Sequence, residues 1–215
     1  MKNYRKKKYS HIDELFAAYQ QRGDRIRQRL NEYRAVPAEK YFYELVYCLM
    51  TPQSSAVNAG KAQMKFEEGD FQNSTGDPEP ILFHKDHYIR FHKTKTRRIL
   101  EMKSQFERIA EMVMNNSPAE EKREWLVRHV KGLSYKEATH FLRNIGKNDG
   151  LVILDRHILK NLKYHGVIRL LPKTLTPKKY FSIEKKFQEF SRSVGISVDE
   201  LDLLFWSNET GEILK

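Results

Sequence analysis

The fold is decided by the stretch Trp125-Leu-Val-Arg-His-Val-Lys-Gly-Leu-Ser-Tyr-Lys-Glu-Ala-Thr-His-Phe-Leu-Arg-Asn-Ile-Gly146. Apolar residues recur at helical spacing on both sides of Gly132, which predicts two helices joined by a very tight turn with Leu133 pointing inward. The second helix is predicted to begin after Ser134, because a serine followed three residues later by Glu forms a capping box. Gly146 is expected to end that helix in the left-handed conformation.

A glycine turn of this kind is the layout of a helix-hairpin-helix element. It places unpaired backbone N–H groups at a helix N-terminus, where the macrodipole also favours an anion, so it suits a phosphate group without reading base sequence. By itself, a glycine turn is more often an ordinary connection between two helices. Other parts of the chain therefore have to support the hairpin before it indicates DNA binding.

The rest of the chain is also predicted to be helical, because apolar residues recur with a period of 3.6 and no alternating strand pattern competes. Two further capping boxes are predicted, at Ser117 with Glu120 and at Ser197 with Glu200. They place two more helix starts along the chain.

Three segments stand apart from this helical pattern. Residues 72–80 are rich in polar and turn residues, and residues 170–177 hold two prolines and two threonines, so both are predicted to interrupt the helices. The apolar run at residues 151–154 is compatible with a short extended or buried segment. We expect a basic tail over residues 1–9, solvated or touching phosphate, and one unit of two helical subdomains over residues 10–215, with the hairpin at 125–146.

The composition favours a polyanionic partner. Lys and Arg number 39 against 28 Asp and Glu, a net charge of +11, which suits nucleic acid, although solubility alone also explains such a charge. The single cysteine, Cys48, excludes a disulfide framework, a four-cysteine zinc site and a four-cysteine iron–sulfur cluster within the chain. No apolar run approaches the roughly 20 residues of a membrane span, so we expect a cytoplasmic protein without a membrane partner.

The chain resembles the helix-hairpin-helix DNA glycosylase superfamily, whose hairpin commonly has Gly, an apolar residue, Gly, two residues around a Lys, and Ala. Gly132-Leu-Ser-Tyr-Lys-Glu-Ala138 follows that pattern with Ser in place of the second Gly, and Asp155 follows Lys136 by 19 residues, the superfamily's interval. Within the superfamily the chain is most similar to the type-2 8-oxoguanine DNA glycosylases. That similarity rests on Ile153-Leu-Asp-Arg-His-Ile-Leu159, Leu45-Val-Tyr-Cys-Leu-Met-Thr-Pro-Gln-Ser-Ser-Ala56, Arg90-Phe91 and a Trp close to a terminal Lys.

This resemblance implies an all-α fold with two helical lobes flanking a DNA-binding cleft, in a monomer that needs no metal and no cofactor. It implies a bifunctional enzyme, a glycosylase that excises 8-oxoguanine from duplex DNA and an AP lyase that nicks the strand. Its partner is then double-stranded DNA with 8-oxoguanine or an abasic site, and the resemblance also implies a prokaryotic, nucleoid-associated protein. Two alternatives stay open: a glycosylase of the same fold acting on another damaged base, and a non-catalytic DNA-binding protein.

The resemblance assigns catalysis to Lys136 and Asp155. An uncharged amine has to attack the sugar C1′, and the Schiff base that forms acidifies the C2′ proton, so the 3′ phosphate leaves by β-elimination. Lys136 lies in the first turn of a helix, where burial or neighbouring cations are expected to disfavour its ammonium form. The rival, Lys131, lies at a helix C-terminus, where the dipole stabilises its charge. Asp155 is expected to cap a helix and to stabilise the developing oxocarbenium ion.

The resemblance also implies contacts to the base and to DNA. Phe91 and Trp206 are expected to form the faces of a slot for a flipped purine, although Trp206 also fits a helical core. The terminal Lys215 is expected to reach that pocket, and the alternative is a frayed tail. Gln53 is expected either to fill the gap left by the flipped nucleotide or to cap a helix. The other expected DNA contacts are Arg90, Gly132, Leu133, Ser134 and His157, with a structural role as the alternative for His157.

Overall fold

The computed structural model describes residues 9–213, which are built of helices. The helices are α1 (Ile12–Arg34), a 3₁₀ helix (Ala38–Lys40), α2 (Tyr41–Met50), α3 (Ala56–Glu68), α4 (Glu79–Leu82), α5 (His92–Ser104), α6 (Phe106–Met114), α7 (Ala119–His129), α8 (Tyr135–Asn144), α9 (Arg156–Tyr164), α10 (Pro177–Val194) and α11 (Val198–Thr210). Residues 9–213 contain no strand, so the predicted all-helical class is confirmed. No helix among them is both long enough and apolar enough to span a membrane.

The described residues divide into two compact units. Residues 32–149 form the central unit, and residues 9–31 with 150–213 form the terminal unit. The central unit is organised around α2, whose residues are all buried and which packs against α3, α5 and α8. Glu44 in this helix accepts hydrogen bonds from Gln63 Nε2 at 3.1 Å and from Asn144 Nδ2 at 3.0 Å. The buried carboxylate is therefore hydrogen-bonded, as buried polar groups generally are.

The predicted hairpin is confirmed in the central unit. Leu133, between α7 and α8, is 6% exposed. Gly132 has φ +101°, and a Cβ built on it would lie 2.6 Å from Arg98 Cδ, so the turn requires glycine at this position. Gly146 has φ +67° and ends the hairpin's second helix in the left-handed conformation, as predicted.

Two of the three predicted capping boxes are confirmed, those at Ser134 and Ser197. In each, the Glu carboxylate three residues on accepts the serine backbone N–H, at 3.2 Å and 3.1 Å. The box predicted at Ser117 is wrong, because α7 begins at Ala119 and Pro118 occupies the N-cap position without a side-chain bond. A proline disfavours helical geometry in the residue before it, which keeps Ser117 out of the helix and moves the helix start along the chain.

A buried extended segment leads into α9 in the terminal unit. The apolar residues at 151–154 are each at most 6% exposed. They do not form a strand, because side chains of α10 pair with their backbone: Val152 N–H donates to Glu184 Oε1 at 2.9 Å, and the Tyr180 hydroxyl donates to the Val152 carbonyl. α9 and α10 both pack against α11. The segment thereby fixes the position of Asp155, which follows it.

Candidate active site and DNA-contacting elements

Lys136 is the second residue of α8, directly after the hairpin. Its side chain is 23% exposed, and its Nζ lies 3.5 Å from Glu137 Oε1. The partner of the Lys136 ammonium in this ion pair is therefore a carboxylate. The other oxygen of Glu137 accepts hydrogen bonds from the backbone N–H and the hydroxyl of Ser134. One glutamate thus connects the candidate nucleophile to the helix cap.

Lys131, the rival nucleophile, lies in bulk solvent. Its side chain is 74% exposed, and its Nζ forms an ion pair with Glu101 Oε1 at 2.7 Å. Attack on a sugar carbon takes place in a site from which water is largely excluded. Burial therefore favours Lys136 over Lys131.

The hairpin leaves only some of its backbone N–H groups available. The Leu133 N–H donates to the Val130 carbonyl at 3.2 Å, and the Ser134 N–H belongs to the capping box. Within residues 9–213, the N–H groups of Gly132 and Lys136 have no acceptor. The backbone N–H groups of Gly132 and Lys136 are therefore the ones free to donate to a ligand, and those of Leu133 and Ser134 are not.

Asp155 holds together a small cluster in the terminal unit. Its Oδ1 accepts the Ile158 N–H at 2.8 Å, which confirms the expected N-cap of α9. Its Oδ2 accepts the Trp206 Nε1–H at 3.2 Å, so both carboxylate oxygens are fixed by donors. His157 lies with its ring 5.8 Å from the ring of half-buried Trp206. Its Nδ1 is 3.8 Å from Glu209 Oε2, so His157 has protein neighbours on two sides.

Gln53 and Phe91 share an unusual backbone conformation in the central unit. They have φ values of +55° and +60°, in the left-handed region that few non-glycine residues adopt. The Arg90 N–H donates to Ser54 Oγ at 3.0 Å and so connects the two segments. Both side chains are exposed, and the Arg90 guanidinium lies 5.4 Å from the Phe91 ring centroid. Exposed side chains on strained backbone are typical of functional surfaces.

The capping alternative for Gln53 is wrong. α3 is capped by Ser55, whose Oγ accepts the Asn58 N–H at 3.4 Å, and Thr51 is the C-cap residue of α2. The exposed Gln53 side chain belongs to neither helix end.

Lys95, on α5, is a buried residue next to the Gln53 turn, and its burial was not predicted from the sequence. It is 2% exposed, and its Nζ donates to the carbonyls of Met50 and Pro52 at 2.6 and 2.8 Å and to Ser54 Oγ at 3.1 Å. Burial, reinforced by the charges of Arg98 and Arg90, lowers the pKa of the Lys95 ammonium to about 8. The available signal was its position four residues before buried Ile99 on the same helix face.

Two expected features cannot be placed in this geometry. Lys215 and most of the expected basic tail lie outside the described residues.

Within residues 9–213, no group of three or more His, Cys, Asp and Glu side chains is arranged to hold a metal ion.

A family model described as 8-oxoguanine DNA glycosylase matches residues 26–196. The chain belongs to the 8-oxoguanine DNA glycosylase family. A relative from Fusobacterium nucleatum subsp. nucleatum, named 8-oxoguanine DNA glycosylase/AP lyase, is 38% identical over 218 residues, which cover 97% of this chain and 100% of the relative. The 8-oxoguanine DNA glycosylase match contains the hairpin, Lys136 and Asp155, whereas Trp206 and Lys215 lie beyond it.

Solved structures of the 8-oxoguanine DNA glycosylase family have the same fold. The crystal structure of Methanocaldococcus jannaschii 8-oxoguanine DNA glycosylase has a TM-score of 0.83 and 32% identity, with 95% of each chain covered. The M. jannaschii 8-oxoguanine glycosylase/lyase in complex with 15mer DNA containing 8-oxoguanine also has a TM-score of 0.83 and 32% identity. That match covers 94% of this chain and 100% of the solved one.

Proposed function

We propose that this chain is a bifunctional 8-oxoguanine DNA glycosylase and AP lyase that acts on duplex DNA. The observation that carries the proposal is the half-buried Lys136 directly behind a helix-hairpin-helix turn, in a chain that belongs to the 8-oxoguanine DNA glycosylase family. The name of the F. nucleatum relative and the solved complex with 8-oxoguanine DNA support the same chemistry and substrate. The net charge of +11 suits a DNA partner.

In the proposed reaction the uncharged Lys136 amine attacks the sugar C1′ while the bond from C1′ to the base breaks. The base leaves with the electron pair of that bond and takes up a proton, and the nitrogen loses a proton. The C1′–O4′ bond then breaks, the ring oxygen keeps its electron pair and takes up a proton, and the nitrogen lone pair forms the C=N bond of a protonated Schiff base. Removal of the C2′ proton then expels the 3′ phosphate and nicks the strand. Water finally hydrolyses the Schiff base and restores the lysine.

Asp155 is proposed to stabilise the positive charge that develops on the sugar and to assist proton movement. Its two oxygens are held by Ile158 N–H and Trp206 Nε1–H. A carboxylate held by two donors needs little reorganisation when charge develops, which supports this role.

The flipped base is proposed to stack between Phe91 and Trp206, with Lys215 reading its edge. 8-Oxoguanine differs from guanine by an N7–H donor and a C8 carbonyl, and a terminal lysine carries both a carboxylate and an ammonium that can answer these groups. Gln53 is proposed to enter the gap left in the duplex, where its amide can pair with the orphaned base. Its exposed side chain and left-handed backbone support this role.

The remaining DNA contacts are proposed to position the backbone and not to read sequence. The hairpin residues Gly132, Leu133 and Ser134 approach a phosphate, and the free N–H of Gly132 supports this placement. Arg90 and His157 are also proposed to contact the DNA backbone. We further propose a monomer that acts on the bacterial or archaeal nucleoid without a metal or redox cofactor.

Incubation with end-labelled duplexes tests the proposed function. One duplex carries 8-oxoguanine, a second carries an oxidised pyrimidine and a third is undamaged. We expect base release and a nicked product from the 8-oxoguanine duplex alone, without heat or alkali. Preferential nicking of the oxidised-pyrimidine duplex would show that the substrate is another damaged base. Binding without any product would show that the chain is a DNA-binding protein without catalytic activity.

A further inference from the structure

Lys95 is a buried cation that forms no ion pair with any carboxylate of residues 9–213. It lies on the inward face of α5 together with Ile99 and Met102, and its ammonium hydrogen-bonds only to uncharged oxygens within the described residues. Removing an ammonium from water without an opposite charge costs free energy, and an apolar side chain in its place would avoid that cost. The advantage of Lys95 must therefore lie in the geometry that its three N–H donors impose.

That geometry concerns the end of α2 and the turn that follows it. Met50 is the last residue of α2, so its carbonyl is one of the acceptors that a helix C-terminus leaves unpaired and that a cation favours. The Pro52 carbonyl and Ser54 Oγ flank Gln53 on either side in the chain. The ammonium thus hydrogen-bonds to both neighbours of the strained, exposed Gln53, to the Pro52 backbone and to the Ser54 side chain.

The same contact reaches the Phe91 segment. Ser54 Oγ accepts both the Lys95 ammonium at 3.1 Å and the Arg90 N–H at 3.0 Å. Arg90 directly precedes Phe91, whose left-handed conformation begins α5. The buried ammonium is therefore connected through hydrogen bonds to the backbone segments that carry Gln53 and Phe91, the two exposed side chains proposed to contact DNA.

We propose that Lys95 is a positioning residue that holds the turn at residues 51–55 and the Arg90–Phe91 segment in the conformation in which Gln53 enters the duplex. This inference rests on the proposed function. Lys95 does not touch the reacting atoms, so it acts on excision through the placement of Gln53. Its lowered pKa, near 8, means that mild alkali removes one of the three donors; Arg98 and Arg90 favour this loss, and Glu137 opposes it.

Lys122 supplies a matched control within the same unit. It is 7% exposed, and its Nζ donates to the carbonyl of Asn115, the C-cap residue of α6, at 2.8 Å. Burial also lowers its pKa. Lys95 and Lys122 therefore both place a buried ammonium at a helix C-terminus, but only Lys95 contacts the Gln53 turn.

The test compares Lys95→Met, Lys122→Met, Gln53→Ala and the double variant of Lys95→Met with Gln53→Ala. Single-turnover excision is measured on an 8-oxoguanine duplex. Insertion of Gln53 is measured separately, by the fluorescence of 2-aminopurine placed opposite a tetrahydrofuran abasic analogue at saturating protein. Lys95→Met removes all three hydrogen bonds to Met50, Pro52 and Ser54. We expect it to lower the excision rate about tenfold and to remove most of the fluorescence change. Lys122→Met should leave both within about twofold of the unaltered protein.

Non-additivity separates positioning from a general loss of stability. If Lys95 acts through the Gln53 turn, Lys95→Met should add little to Gln53→Ala, since the two changes remove the same interaction with DNA. Multiplying losses, or equal effects of Lys95→Met and Lys122→Met, would overturn the proposal. Should Lys95→Met fail to fold, Ser54→Ala removes one ligand of the ammonium and is expected to reduce the same fluorescence change; no reduction would also overturn the proposal.

Failure of the proposed function gives a different pattern. An unaltered protein that excises no 8-oxoguanine contradicts the function, while the abasic-analogue duplex still reports Gln53 insertion because that measurement requires only binding. Fluorescence that is unchanged by the unaltered protein contradicts the Lys95 proposal even when excision is normal.

Discussion

Asp155 is tied to the protein by two donors, one from the α9 backbone and one from Trp206. Asp155→Asn keeps an oxygen for the Ile158 N–H but turns an amide toward the Trp206 N–H, which leaves two donors facing each other. We expect the free energy of unfolding to fall by about 1 kcal/mol, measured by urea denaturation. Single-turnover excision should fall much further, because the carboxylate charge is lost.

The control for Asp155→Asn is another helix cap. Thr176 caps α10 through the Lys179 N–H at 3.4 Å, and Thr176→Ala should lose a similar free energy of unfolding without slowing excision. An Asp155→Asn variant with an unchanged rate would leave Asp155 as a cap alone.

Lys215 offers a test of lesion recognition at the chain terminus. If its carboxylate or ammonium reads the lesion edge, deleting it or appending several residues should depress excision of 8-oxoguanine. The loss should correspond to roughly 1–3 kcal/mol for each group left unpaired, while affinity for undamaged duplex stays nearly constant. Full activity and unchanged selectivity against guanine in the extended chain would show that the terminus is a frayed tail.

His165 predicts an acid limb in the stability of the terminal unit. It is 3% exposed, hydrogen-bonds the Ser10 carbonyl through Nδ1 at 3.0 Å and stacks on Phe205 at 5.4 Å. Burial holds the pKa of His165 below its ordinary 6.5. His165 therefore binds a proton more readily in the unfolded chain. Its contribution to the free energy of unfolding is complete above about pH 6.5 and is lost as the pH falls through the folded pKa.

The measurement for His165 is urea denaturation at a series of pH values. His165→Phe removes the titrating group. The free energy of unfolding of the unaltered protein minus that of His165→Phe should therefore decrease as the pH falls below about 6.5. A constant difference between the two profiles would contradict the assignment.

At the scale of elements, the hairpin depends on glycine for both conformation and space. Gly132→Ala should lower the free energy of unfolding by about 1–3 kcal/mol, because the residue has φ +101° and a Cβ would meet Arg98 at 2.6 Å. Gly195→Ala is the control for conformation alone, since φ is +70° there and no atom lies within 4 Å. Fluorescence anisotropy with undamaged duplex should show weaker binding for Gly132→Ala only. Equal binding by the two variants would show that the hairpin does not contribute to DNA binding.

Elements whose causes are local could be predicted from the sequence. The hairpin, the cap at Asp155 and the boxes at Ser134 and Ser197 depend on residues within a few positions of each other, so their patterns predict them correctly. The box at Ser117 failed for a local reason too, the proline that follows it. The extended run at 151–154 stayed ambiguous, because its backbone partners come from α10, about thirty residues further on.

Lys95 could not be predicted because its role is tertiary. In the sequence it lies in a basic stretch, where a lysine is ordinarily solvated. Its burial and its contacts with Met50 and Pro52 arise only when α5 packs against α2. The carboxylate partner of Lys136 was missed for the opposite reason, since Glu137 was assigned only to the capping box.

For the whole molecule, composition and resemblance indicate the partner and the family but not the division of the chain. The terminal unit combines residues 9–31 with 150–213, so residues distant in sequence share one core. The composition does not change where such a discontinuous unit begins and ends. Two helical subdomains could therefore be expected from the sequence, but the residues at which they divide could not be predicted. The positive charge, by contrast, is a sum over residues and needs no structure.

The central claim is that the amine of Lys136 forms a covalent bond with the sugar of an 8-oxoguanine nucleotide. It is tested most directly by borohydride reduction of the enzyme on an 8-oxoguanine duplex, followed by proteolysis and mass spectrometry of the DNA-linked peptide. We expect the adduct on Lys136, its loss in Lys136→Gln with DNA binding retained, and its persistence in the matched Lys131→Gln variant. An adduct on Lys131, or trapping that survives Lys136→Gln, would contradict the claim.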